Sequence, residues 1–222
     1  MVCVDGDPQG NLTSLLLDSQ EDDGFYRLLV AKKMPPLSSV LRMVNFSGQT
    51  FGVLTSDAST GDALGMLALG QRLDEVALRL RTIAQQVDVV LLDMPPSQAL
   101  GFQQMLAAGN WLLVPTVMER LSIEGVGQML TLAMEARLRL MGVVPNMVKN
   151  FVEHREQGRE LLSVLDGVGR ADLLWPPIPH SVRVAEAQAH GRTICDYDPQ
   201  NPAAAMLRDV GQRVLTILQE AR

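Results

Sequence analysis

An apolar tripeptide, Val2-Cys3-Val4, runs directly into Asp5-Gly6-Asp7-Pro8-Gln9-Gly10-Asn11. Two ionised carboxylates cannot follow such a segment into a dry core without partners. The pattern therefore reads as a buried strand that ends in two acids, a tight turn and a polar helix start. Open α/β sheets present acidic chemistry in this way, in the crevice beyond the carboxyl ends of their strands.

The rest of the chain supports that class. Short apolar runs alternate with helical patterns. Strands are expected at Val2–Val4, Thr50–Leu54, Val87–Leu92, Trp111–Val114 (closed by Pro115), Leu140–Val144 and Leu173-Leu174. Helices are expected at Asn11–Leu17, Phe25–Val30, Ser38–Val44, Ala63–Gln86, His154–Leu165, Val182–Ala189 and Pro202–Arg222, and one after Ser122, a candidate N-cap. The closing helix would bury Leu207, Val210, Val214 and Ile217 on one face. Asp18–Gly24 reads as an acidic, solvated loop. This order predicts an α/β fold: a doubly wound, mostly parallel sheet with helices on both faces. With 222 residues, no repeat and no linker, one domain over 1–222 is expected.

Composition narrows the function. Aromatic residues make up only 4% of the chain, which argues against binding single-stranded nucleic acid by stacking. A net charge of −6 means that any DNA contact needs a local basic patch. Residues 176–222 carry five arginines (183, 192, 208, 213, 222) against five acids (186, 196, 198, 209, 220), so that region is neutral overall. Cys3 and Cys195 have no metal-ligand spacing and read as reduced thiols. No apolar stretch approaches the length of a membrane span, and no signal peptide is visible. His180 and His190 read as loop polar residues.

Three strand ends carry candidate chemistry: Asp5/Asp7, Asp93 and Asn146. An acid after a buried strand, as in Leu91-Leu92-Asp93, can hold Mg²⁺ against phosphate charge. It can equally cap the turn before Pro95-Pro96. Asp7 can orient a water for attack on a phosphate, or it can simply shape the turn with Pro8 and Gly10.

Five ordered segments resemble the ParA-type partition ATPases, a branch of the P-loop NTPases. Asp5-Gly6-Asp7-Pro8-Gln9-Gly10-Asn11-Leu12-Thr13 resembles switch I, and Val89–Ser97 resembles the Walker B strand and its Pro-Pro-Ser turn. Leu113-Val114-Pro115 with Leu121–Gly125 resembles the next strand and helix start, and Gly142–Met147 the strand before the base-binding loop. Ile178–Ala187, with His190-Gly191-Arg192 and Asp196–Pro199, resembles the carboxyl-terminal signature. The resemblance implies Asp7 as the acid positioning the hydrolytic water and Asp93 as the Mg²⁺-site acid. It also implies Asn146 with Pro177, Ile178 and Pro179 around adenine, and Arg183 and Arg192 toward DNA. It implies further ATP and Mg²⁺ as cofactors, a homodimer, a ParB-like partner, non-specific DNA binding and a cytoplasmic, nucleoid-associated location, with no membrane anchor. One departure is plain: no Gly-Lys-Thr or Gly-Lys-Ser occurs in the chain. The family's P-loop stands before switch I, so we expect a truncated chain or a late start codon, with poor ATP binding as it stands. The alternatives are a pseudo-ATPase that keeps only an interaction surface, and a MinD-like ATPase that positions another cargo.

Overall fold

The computed structural model describes residues 1–17, 23–95, 98–149 and 152–221. Most of the expected acidic loop at 18–24, and Pro96-Ser97 of the expected turn, lie outside them. The chain forms two compact units, Met1–Gly109 and Asn110–Arg222.

The first unit holds β1 (Val2–Asp5), α1 (Asn11–Leu16), α2 (Gly24–Val30), β2 (Leu41–Phe46), β3 (Gln49–Leu54), α3 (Ala58–Leu69), α4 (Asp74–Ala84), β4 (Val90–Asp93) and α5 (Phe102–Ala108). Its sheet has the order β2-β3-β1-β4. β1 is parallel to both neighbours, with Val4 opposite Leu54 and Leu92, and Asp5 opposite Asp93. Val2, Val4 and Leu54 are buried with Phe25, Leu28, Leu29, Val76, Leu80 and Ile83 in one core. Arg79, itself buried, donates to the Leu28 and Ala31 carbonyls at 2.7 and 2.6 Å, and so closes the end of α2 from a distant helix.

Two expectations need correction here. The segment expected to form a helix at Ser38–Val44 is a short 3₁₀ turn, Leu37–Ser39, followed by β2. β2 pairs antiparallel with β3 across Ser47-Gly48, both at positive φ (50° and 75°), the hairpin geometry that matches strand twist. The long helix expected over Ala63–Gln86 is two helices. Gln71 turns left-handed (φ 55°), and the Arg72 amide reaches back to the Leu67 carbonyl at 2.8 Å, which stops α3.

The second unit holds β5 (Trp111–Val117), α6 (Arg120–Glu135), β6 (Arg139–Asn146), α7 (Val152–Gly167), α8 (Val182–Ala189), α9 (Ile194–Tyr197) and α10 (Pro202–Glu220). β5 and β6 are parallel, with a register shift at Leu112/Leu113. β5 continues through Pro115 rather than closing there. Among the described residues it is paired on one side only, and an edge strand is where proline is tolerated. Glu119 precedes α6, which places Ser122 inside the helix and not at its cap. Leu173-Leu174 is a 3₁₀ turn (Ala171–Leu173) with one bridge from Leu174 to Val143, not a strand. In α10, Val210, Val214 and Ile217 pack on Met141, Val144 and Trp175 with Met206 and Leu218, while Leu207 is exposed.

Candidate functional site

In the first unit the chemistry gathers where β1 and β4 end side by side. Asp5 is fully buried. Its Oδ2 accepts from the Thr13 amide (2.8 Å) and the Thr13 hydroxyl (2.7 Å), and its Oδ1 accepts from the Asp7 amide (3.2 Å). Three donors on one carboxylate make its burial tolerable. Asp7 is half-buried. Its Oδ1 accepts from the Gln9 amide at 2.9 Å, and its carbonyl accepts from the Gly10 amide at 2.9 Å. Both readings of Asp7 therefore survive: Oδ1 shapes the turn, while Oδ2 has no hydrogen bond from any described residue. Gly10 closes the turn at φ 65°, a conformation that suits glycine, and a Cβ there would meet the Ser56 carbonyl at 2.6 Å.

Asp93 ends β4 with an exposed side chain. Partial burial, and then the charges of Asp5 and Asp7, push its carboxyl above the usual range. The strand ends are bound at close range. The Gly6 amide donates to the Asp93 carbonyl at 2.9 Å, and a Cβ on Gly6 would stand 2.6 Å from that oxygen. Mutually repelling acids at an open strand end fit a hydrated Mg²⁺, which takes one or two carboxylates and completes its shell from water and phosphate. Among the described residues, no three acids, histidines or cysteines are placed to hold a metal unaided. The lysine-bearing phosphate loop implied by the resemblance has no counterpart in this sequence.

In the second unit, Asn146 ends β6 and the 175–180 segment runs beside it. The Trp175 amide donates to the Val143 carbonyl (3.0 Å), Ile178 to Pro145 (2.8 Å), Val148 to Ile178 (3.0 Å) and His180 to Val148 (3.0 Å). This ladder brings Asn146 together with Pro177, Ile178 and Pro179. Ile178 is buried, Pro177 is exposed, and the Asn146 Oδ1 accepts from the Met147 amide at 2.9 Å.

Arg183 and Arg192 converge on Tyr197, which the sequence did not single out. Their guanidinium carbons lie 4.7 and 5.8 Å from its ring centre, and the His190 ring lies 5.3 Å from it. Arg183 also pairs with Glu186 and reaches Asp198 at 3.4 Å, and Arg192 donates to the Asp196 carbonyl at 2.6 Å. Both arginines are thus already engaged, although each keeps exposed surface. The reading also missed Ser56, whose amide meets the Thr13 hydroxyl beneath the Asp7 turn, and Thr60, which bonds the Ser56 hydroxyl. Their only signal is a Thr55-Ser56-Asp57 run directly after a strand.

Residues 1–141 match a family model described as an AAA domain. The chromosome-partitioning ATPase Soj of Thermus thermophilus is 32% identical over all of this chain and 85% of its own length. The chain belongs to the ParA/MinD family of partition ATPases. Among solved structures, the cell division ATPase MinD of Pyrococcus furiosus matches with a TM-score of 0.76 at 18% identity, over 97% of this chain and 86% of its own. Cobyrinic acid a,c-diamide synthase of Mycobacterium smegmatis, solved with an ATP analogue and magnesium, matches at 0.74 and 25% identity, over 100% of this chain and 84% of its own. The expected α/β P-loop-NTPase-like fold, with its mostly parallel sheet, is therefore correct. No helix among the described residues is long and apolar enough to cross a membrane.

Proposed function

We propose that this chain carries the switch, metal-site and base-binding segments of a Soj-like partition ATPase, whose full-length form couples Mg²⁺-dependent ATP hydrolysis to dimerisation and DNA association. The observation that carries the reading is the pairing of Asp5 with Asp93 across β1 and β4, with Asp7 on the adjoining turn. In this reading Asp93 would hold Mg²⁺, which when bound neutralises phosphate charge. Asp7 orients the attacking water through Oδ2 while Oδ1 keeps the turn closed. Asn146 and the Pro177–Pro179 segment offer a polar group beside an apolar surface, as an adenine ring requires. Arg183 and Arg192 contact DNA phosphate from around Tyr197. A ParB-like protein stimulates turnover, and the chain works in the cytoplasm on the nucleoid.

The test is calorimetric titration of the full chain with ATP and Mg²⁺, followed by a turnover assay. Asp7→Ala is expected to keep ATP binding, lose turnover and accumulate dimer. Parental turnover in that variant would refute the role of Asp7. The absence of any Gly-Lys-Thr or Gly-Lys-Ser favours a second reading, a pseudo-ATPase that keeps the family surface without hydrolysis. Absence of Mg²⁺-dependent ATP binding selects it.

A further inference from the structure

Asp5, Thr13, Thr55, Ser56 and Thr60 are five of the seven buried polar side chains among the described residues, so buried polarity concentrates beneath the Asp7 turn. The hydrogen bonds there converge on the Asp5 carboxylate. The Ser56 amide donates to the Thr13 hydroxyl at 2.9 Å, and that hydroxyl donates to Asp5 at 2.7 Å. Asp5 in turn receives the Asp7 amide. An amide N–H can only donate and a carboxylate can only accept, so the orientation of the Thr13 hydroxyl between them is dictated. Such a chain polarises along its length. Its far end is equally fixed. The Ser56 hydroxyl bonds Thr60 at 3.0 Å, and Asp57 caps α3 by accepting from the Ser59 amide at 2.9 Å. Thr55 receives the Gly24 amide at the start of α2 at 3.1 Å.

We infer that Thr13 is a positioning residue: its hydroxyl, acting through Asp5, sets the place of the Asp7 turn according to the position of the β3–α3 connection. The inference rests on the ATPase reading for its consequence in turnover, but not for its geometry. A displacement of Ser56 is passed to Asp7 through three hydrogen bonds, while the Thr13 methyl serves only to pack. Misplacing a catalytic group by about 1 Å costs on the order of a hundredfold in rate.

The test compares Thr13→Val, which keeps the shape and removes the hydroxyl, with Thr13→Ser, which does the reverse. Amide hydrogen exchange on the full chain without nucleotide is expected to quicken at Asp7 and Ser56 in Thr13→Val, by roughly tenfold or more, and to stay parental in Thr13→Ser. The opposite pattern, a neutral valine and a perturbing serine, would overturn the inference and make Thr13 a packing residue. If Thr13→Val does not fold with Asp5 left charged, Asp5→Asn combined with Thr13→Val removes that charge, and exchange at Ser56 decides. With Mg²⁺ and ATP, Thr13→Val should lower kcat by about tenfold or more with KM within about twofold, and Thr13→Ser should restore it. Unchanged kcat beside altered exchange would also overturn it. A parent that neither binds nor hydrolyses ATP sinks the ATPase reading alone, and the exchange pattern then decides the role of Thr13.

Discussion

The end of β1 and the end of β6 are both strand ends that carry polar residues, yet they are built from different materials. At β1 a buried carboxylate gathers side-chain and backbone donors from two other segments, and the turn hangs on that one group. At β6 the neighbouring segment is hydrogen-bonded through its backbone, its Trp175 and Ile178 side chains pack into the core, and Pro177 stays exposed. The first arrangement holds charge in a fixed place and is sensitive to single atoms. The second fixes the path of its main chain through bonds that a side-chain change does not remove.

Tight packing should blur this contrast most. A Cβ on Gly142 would run into the Trp175 ring, and one on Gly6 would meet the Asp93 backbone oxygen. Each alanine substitution is expected to cost about 3 kcal/mol, because neither neighbour can yield. Urea unfolding measures both. Both tryptophans lie in the second unit, so a red-shifted native emission is expected for Gly142→Ala only. A tolerated Gly6→Ala would show that the β1–β4 strand ends are looser than the geometry indicates.

The contrast itself is sharpened by Asp5→Ala against Ile178→Ala. Removing Asp5 strands three donors, two of them on buried Thr13, at a cost of about 2–3 kcal/mol. Exchange should quicken locally at Asp7 and Thr13. Ile178→Ala removes buried apolar volume for about 2 kcal/mol, and exchange should leave the Ile178 amide protected. Loss of that protection would mean that the side chain, and not the backbone ladder, holds the segment.

The smallest effect is one of pH. Folding raises the Asp93 carboxyl above its ordinary value, so in that interval the folded chain binds the proton that the unfolded chain has released. Stability therefore falls as pH rises from the ordinary carboxylate range through the raised value, and the loss is complete above it. Asp93→Asn is expected to flatten that part of a melting-temperature profile and to melt no lower than the parent at neutral pH. A steeper profile in the variant would place the acidic repulsion elsewhere.

Much of this was legible. The turn after β1 could be read because its glycines and acids meet local demands, and α8 appears at the expected residues because Ser181 caps it. The α3/α4 break could not be read, since Gln71 occupies a conformation its chemistry does not advertise. β2 was hidden by a helical reading of Ser38–Val44, although Ser47-Gly48 is hairpin chemistry. The Thr13–Ser56 bond joins residues 43 positions apart, and no local pattern encodes such a meeting. Tyr197 likewise becomes a hub only when α8 and α9 pack together.

The Arg79 clamp has a consequence in time. α2 has only seven residues, too few to persist alone in water. The guanidinium that satisfies its last carbonyls arrives from 48 and 51 residues away. Closing that loop is expected to precede the helix, which makes α2 a late element of folding. Substitutions at Arg79 should then accelerate unfolding while leaving the refolding rate nearly unchanged.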